Sequence, residues 1–463
     1  MQLFRVDRLL RNTQILGDIP DYRSLLISTI HIAWPSILES FLIALVAMVD
    51  TIMVGTIGSQ AIASVGLTTQ PKFIGLAVFI SLNVAISAIV ARRRGEGDRE
   101  DANRVLMQAL LLTLLLTAVV STISILFANQ IIRFAGSHPE THADAVAYFR
   151  IIMGGLICNT ISMVINAAQR GSGNTKIAMR TNLVSNSVNV VFNYLLIGGK
   201  LGFPRLGVTG AAIATVIGSA CACGMSIRSL LHPDHFIFLH GVQHARFERK
   251  TLSAIFKIGS STLAEQIFMR IGFLTYSILV AKLGTIAFAT HQIGVNLLTL
   301  SFSFGDGLSV AAIAMVGRSL GEQRPDMARL YGGICQRFAT LFSAGLAVIF
   351  LSLGRQIFML FSRDPQILQY SRTITLFLSI ITFLQISAVV FAGCLRGAGD
   401  TVYAAIVSLI SVTFLRPIFG WLFCYPLGLG LTGAWLGLTA DQATRFTLTW
   451  LRFRSGRWTR YKI

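Results

Sequence analysis

The chain reads as one membrane unit written twice, at a constant offset of 226 residues. Glu39, in the middle of an apolar stretch, recurs as Glu265. At the same offset Gly58 matches Gly284, Ala61 matches Ala287, Ala63 matches Ala289, Arg92 matches Arg318, Gly95-Glu96 matches Gly321-Glu322, and Arg170-Gly171 matches Arg396-Gly397. Two halves that hold register for so long share a fold, and the natural place for a ligand in such a duplication is between them.

With 54% hydrophobic residues, 13% charged and 31 Phe, the chain has more apolar surface than a soluble core of 463 residues can hide, which places it in a bilayer. The net charge of +19 does not point to nucleic acid, because the basic residues gather in short segments between apolar runs, the positive-inside pattern. Runs of about 20 apolar residues predict twelve spans near 25–54, 60–90, 105–128, 143–168, 176–198, 208–230, 252–281, 287–316, 327–353, 366–394, 401–424 and 431–451. The expected fold is therefore an all-α polytopic membrane protein, with twelve transmembrane helices in two six-helix bundles. An even number of spans per half makes the repeats parallel, related by a pseudo-two-fold axis along the membrane normal. The expected organisation is a cytoplasmic N-terminal segment over 1–24, an N-lobe over 25–230, a polar, exposed cytoplasmic linker over 231–250, a C-lobe over 251–451 and a basic cytoplasmic tail over 452–463.

Arginine placement after even-numbered spans predicts both termini in the cytoplasm and a multi-pass protein of the cell (inner) membrane. No cleavable signal peptide is apparent. The linker histidines His232, His235, His240 and His244 match no common metal-ligand spacing, and the six cysteines, all in or closing predicted spans, form no disulfide framework.

Polar groups inside spans are costly to hold in hydrocarbon and mark function by default. Asp50 lies eleven residues after Glu39, on nearly the same helical face, although it also reads as an interfacial cap before Gly55. Asn182, Asn186, Asn189 and Asn193, spaced 4, 3 and 4, share one face of the fifth span, either as glue between helices or as the lining of a wet cavity. Beside Asp50 they form a carboxylate among neutral amides, able to take up and release a proton, so Asp50, Asn186, Asn189 and Asn193 are the ion-coupling candidates. In the second half Tyr276 stands where the repeat places Asp50, and Asp306 sits between Gly305 and Gly307, whose pairing predicts a locally loosened helix. Asn159 and Gln385 are symmetry mates in apolar surroundings. Glu39, Glu265, Tyr276, Asp306, Asn159 and Gln385 are the substrate-binding candidates. Arg150, Arg270 and Arg416 also fall within spans, and their partners are not readable from the sequence.

Pro35-Ser-Ile-Leu-Glu39, Val49-Asp50-Thr51-Ile52-Met53-Val54-Gly55, Gln169-Arg170-Gly171-Ser172-Gly173-Asn174-Thr175, Leu395-Arg396-Gly397-Ala398-Gly399-Asp400-Thr401 and Ala289-Thr290-His291-Gln292-Ile293 together resemble the multidrug and toxic compound extrusion (MATE) transporters. The resemblance covers essentially the whole chain. It implies a secondary antiporter that exports organic, usually cationic or amphipathic, compounds using a proton or sodium gradient, by rocking two six-helix lobes around a central cavity. It makes Asp50 the coupling carboxylate, with Asn189 and Asn193 beside it, and Glu265 the seventh-helix acid of the C-lobe. Where some members carry an Asp this chain has Asn193, and it has no acid between Gln366 and Gly399, which puts a multi-carboxylate sodium site there in doubt. The Arg-Gly-x-Gly motifs read as structural, with glycine allowing a tight turn and arginine meeting the interface.

The expected partners are small organic solutes and membrane lipid, with the monomer as functional unit, and no cofactor beyond H+ or Na+, the latter near Asp50 or Glu265. The alternative is a flippase for a lipid-linked precursor, which would line its cavity with bases such as Arg150, Arg270 and Arg416. An enzyme finds no nucleophile–base constellation, and an ATP-driven pump finds no phosphate-binding loop.

Overall fold

The structure, a computed structural model, describes residues 15–238, 248–362 and 364–461. Most of the N-terminal segment, and His240 and His244 of the linker, lie outside the described residues. Among those described the chain is helical throughout: α1 Tyr22–Gly55, α2 Ser59–Glu96, α3 Arg99–Leu126, the short α4 Ala128–Phe134, α5 Pro139–Gly154, α6 Leu156–Gly171, α7 Thr175–Gly198 and α8 Gly207–Ser229. The second half follows with α9 Arg249–Ala281, α10 Thr285–Gly321, α11 Pro325–Phe361, α12 Pro365–Gly397, α13 Thr401–Ser408, a π-helical turn over Leu409–Leu415, α14 Arg416–Cys424 and α15 Gly430–Ser455.

By length and composition nine helical stretches among the described residues are able to cross a membrane, with α13, the π turn and α14 counted as one over Thr401–Cys424, or ten if α5 and α6, bent by 47° at the Gly154–Gly155 junction, form one span. Helices α7 and α15 are also long enough, at 24 and 26 residues, but carry the asparagine stripe and the charged residues Asp441 and Arg445 respectively. Large apolar side chains stand exposed along α3 and α11, among them Leu115, Ile123, Leu341, Val348 and Leu351, a surface that only lipid satisfies.

Local signals start and stop the helices. Asp98 accepts the Asp101 backbone N–H at 2.9 Å to cap α3, and Asp364 accepts that of Gln366 at 2.8 Å to cap α12. Pro139, Pro325 and Pro365 occupy first turns, where a missing N–H is harmless. Pro417 stands at the start of α14, so its ring removes the donor for the Thr413 carbonyl four residues back; the Arg416 N–H reaches instead to the Ser411 carbonyl, five back, and the π turn results.

Packing divides the chain into two compact units, the described residues of Met1–Ser40 with Ser260–Ile463, and Phe41–Gly259. Within Phe41–Gly259, α2 packs against α3, α5 and α6, α6 against α8, and α7 against α8. Phe79, Phe149 and Met153 fill its interior. Within the other unit, α10 packs against α11 and α12, α12 against α15, and α14 against α15, around cores holding Trp435, Phe358 and Trp458. These partnerships recur at the repeat offset, as do two ion pairs at the ends of α2 and α10: Arg92–Glu96 at 3.5 Å and Arg318–Glu322 at 2.9 Å.

Two expectations are corrected. α10 runs unbroken through Asp306; a Cβ on Gly305 would crowd the Ile386 backbone at 3.2 Å and one on Gly307 would overlap Ile37, so these glycines serve close helix contact and not a loosened turn. The described start of the linker is docked, not free: Arg99 stacks over Phe238 at 4.1 Å and donates to the Phe236 carbonyl at 3.2 Å, Arg94 covers Phe236 at 4.4 Å, and Ile237 is buried.

Candidate functional site

In the unit Phe41–Gly259, α1 presents Asp50 to α7. Asn193 donates its amide to Asp50 Oδ1 at 2.8 Å. With the Asn189 amide oriented so that both its ends are satisfied, its nitrogen donates to Asp50 Oδ1 at 2.8 Å and Oδ2 at 3.2 Å, while its oxygen accepts from Thr215 of α8 at 3.2 Å. The carboxylate therefore receives amide N–H donors from two asparagines one turn apart, both buried, while Asp50 itself is half-exposed. α8 comes close enough to position Thr215 because a Cβ on Gly218 would sit 2.7 Å from the Ser185 carbonyl and 3.2 Å from Asn189 Cβ. The small-residue run Gly207–Gly218 is what permits this approach. Lys72 of α2 lies within electrostatic reach of Asp50. The Asn193 carbonyl oxygen is buried with no hydrogen-bond partner. Asn186, one turn further along α7, is half-buried and its amide nitrogen bonds nothing, so it stands outside this cluster.

In the other unit, buried Glu265 of α9 accepts from Arg396 of α12 at 2.7 Å and from Ser408 at 3.1 Å. Arg396 belongs to the second Arg-Gly-x-Gly motif, so its guanidinium turns inward to an ion pair and does not meet the interface, correcting the sequence reading. The first glycine of each motif sits at a close helix contact: a Cβ on Gly171 would lie 2.5 Å from the Ser87 carbonyl, and one on Gly397 would lie 2.7 Å from that of Ile313. The second, Gly173 and Gly399, takes left-handed φ of 87° and 85° and makes the turn.

Tyr276 is buried and bonds the Ala434 carbonyl at 2.5 Å, with His291 edge-on to its ring, so it packs a core and is not joined to Glu265. Asp306 accepts from Ser40 at 3.2 Å. Glu39 is buried in the same unit as Glu265. Asn159 and Gln385 are half-buried on α6 and α12. Of the three basic residues within spans, Arg150 is exposed on α5, Arg270 is half-buried, and Arg416 is buried against Asp441, with Nε at 2.9 Å and Nη2 at 2.5 Å from one carboxylate oxygen. Sequence reasoning missed Lys72, Thr215, Asp441 and Arg445. The last two carried a signal, an acid and a base one turn apart in an otherwise apolar helix.

Long apolar helices, intramembrane carboxylates held by amides or arginines, and a duplicated packing scheme together define a multi-pass membrane transporter. The MatE family model matches this chain twice, over residues 35–195 and 262–422, two equal stretches whose offset is within one residue of that of the repeat. The chain belongs to the MatE family of transporters, which are not enzymes. A probable multidrug resistance protein NorM of Thermotoga maritima is 28% identical over 448 residues, spanning 96% of this chain and 95% of the relative. A probable NorM of Rhizobium meliloti is 27% identical, over 88% of both chains. Among solved structures, the outward-facing conformation of a multidrug resistance MATE family transporter superposes with a TM-score of 0.87 at 21% identity, over 98% of this chain and 99% of that one. A crystal structure of MATE in complex with MaL6 also gives 0.87, at 21% identity and 97% coverage of both.

Proposed function

We propose that this chain is a secondary antiporter of the cell (inner) membrane, with twelve spans in two lobes and both termini cytoplasmic, exporting small organic cationic or amphipathic compounds in exchange for H+ by alternating access. The observation that carries this reading is Asp50, a carboxylate held by neutral amides, Asn193 at 2.8 Å and Asn189 beside it. Ionised, it accepts both amide donors. Protonated, its hydroxyl needs an acceptor, and the unpartnered Asn193 oxygen becomes one when that amide turns over. Uptake and loss of one proton thus exchange one hydrogen-bond arrangement of α1 and α7 for another, which is what an alternating-access switch requires. The amide nitrogens, not the oxygens, face the carboxylate, which fits a proton better than a hard cation such as Na+ that needs several oxygen ligands. The NorM relatives named as multidrug resistance proteins support the substrate class. Glu39, buried in an apolar helix, supplies negative charge for a cationic substrate, whereas the charge of Glu265 is matched by Arg396. A flippase lined by Arg150, Arg270 and Arg416 fits less well, since Arg150 is exposed and Arg416 is occupied by Asp441.

The test is flux in proteoliposomes carrying an imposed pH gradient. Wild type drives efflux of an organic cation such as ethidium; Asp50→Asn inserts normally and loses gradient-driven efflux by about a hundredfold, the measure of a lost coupling group. Normal efflux by the variant overturns the assignment. Efflux that follows an imposed sodium gradient and ignores pH assigns the exchange to Na+ instead.

A further inference from the structure

The unit containing Ser260–Ile463 holds a charge cluster that does not balance. Arg416 pairs with Asp441, and Arg396 pairs with Glu265. One turn beyond Asp441 on α15, Arg445 lies within electrostatic reach of Asp441, Arg416, Glu265 and Arg396. Three guanidinium groups thus face two carboxylates. The Arg445 Nε and Nη2 atoms are buried and have no hydrogen-bond partner. A guanidinium cannot shed its proton, so the escape open to a buried lysine is closed. The buried acceptors left open on the cluster's carboxylates are Asp441 Oδ1 and Glu265 Oε2, which belong to groups already matched by Arg416 and Arg396, and the open Gln442 oxygen beside them is neutral. Turning Arg445 onto either improves its hydrogen bonding and leaves the surplus positive charge where it was. Among the described residues the acids acting on Arg445 are Asp441 and Glu265 alone, so a bound anion would supply the compensating charge. Next to Arg445, Phe446 faces Phe383 of α12 with ring centroids 6.4 Å apart, an aromatic wall on the same stretch of α15.

We propose that Arg445 is an anion-binding site, taking the carboxylate or comparable acidic group of an amphipathic molecule whose apolar body rests on Phe383 and Phe446. The planar fork of arginine matches such a group in two parallel bonds. The inference rests on the transporter reading and adds molecules bearing an acidic group, zwitterions included, to its substrates.

Binding to full-length protein in phosphatidylcholine nanodiscs tests it, with naphthalene-2-carboxylate and the neutral naphthalene-2-carboxamide as calorimetric probes. Wild type binds the carboxylate about tenfold more tightly or better, as one charge-assisted contact implies. Arg445→Gln brings the two within about twofold, and Arg445→Lys keeps a preference because the charge remains. Equal binding by wild type, or an undiminished preference in Arg445→Gln, overturns the proposal. A measurement on wild type alone guards against a variant that fails to fold: phenylglyoxal modification of Arg445, read by peptide mass spectrometry, is blocked by the carboxylate and not by the carboxamide. An arginine that never reacts, or that the carboxylate leaves unprotected, also overturns it. Phosphatidylglycerol nanodiscs separate the sources: a preference that survives assigns the site to a soluble acid, and one that vanishes assigns it to a lipid headgroup. These measurements read occupancy, whereas failure of the antiport reading shows only in ion-driven flux.

Discussion

Asp50 and Glu265 are both carboxylates inside apolar helices, and their neighbours ask opposite things of them. Asp50 is held by neutral amides that can rearrange, whereas Glu265 is matched by the fixed charge of Arg396 at 2.7 Å. Removing Arg396 takes away the hydrogen-bonded partner of a buried carboxylate and leaves Arg445, within electrostatic reach of Glu265, as the nearby cation, so the cost falls below about 3–5 kcal/mol, that of a buried pair broken outright. Arg396→Ala is expected to lower the thermal midpoint of the purified protein, and adding Glu265→Gln to recover part of the loss; equal midpoints for wild type and Arg396→Ala would show that the pair contributes nothing. The asparagine face was legible in the sequence because its 4-3-4 spacing is a property of one helix. Thr215, Lys72 and the Arg416–Asp441 pair were not, since each partner comes from a different helix and only packing brings the two together. Tyr276 misled for a related reason: the repeat offset fixes its place along the helix but not the carbonyl of Ala434 that takes its hydroxyl.

Among the elements, α7 and α8 depend on an absent side chain. A methyl group on Gly218 meets the Ser185 carbonyl at 2.7 Å, so Gly218→Ala has to push the two helices apart. The expected cost is about 1–3 kcal/mol of overpacking. The larger consequence is a displaced Asn189–Thr215 contact, read as weaker pH-driven efflux from protein that still inserts. The helices fall where the apolar runs put them, because hydropathy reports length well. The bend between α5 and α6 and the π turn before α14 escaped that reading, as neither interrupts the apolar run. The latter has a local cause in Pro417. Restoring an N–H with Pro417→Ala lets the Thr413 carbonyl regain its ordinary partner. Amide hydrogen exchange over residues 413–417 should then slow markedly; unchanged exchange would mean the turn is imposed by packing, for instance by the Gly272–Val412 contact.

For the whole molecule, charge distribution sets orientation. The proposed topology places the loop before α5 outside and the segment after α8 inside. In a background with the six native cysteines replaced, Ser137→Cys should react with a membrane-impermeant maleimide applied to intact cells, and His232→Cys only after permeabilisation; the reverse pattern would invert the protein. The duplicated packing scheme conceals a difference in kind between the halves. Among the described residues the first half carries a carboxylate held by amides, Asp50, while Glu265 and Asp441 of the second are matched by arginines. On the proposed exchange of one proton per cycle at Asp50, trading it for a monovalent cation moves no net charge, so such export should ignore membrane voltage and answer to pH alone. A zwitterion bound at Arg445 carries no net charge outward against the entering proton, and its export becomes electrogenic. The electrical response of the transporter is then a direct measure of the valence of whatever it carries.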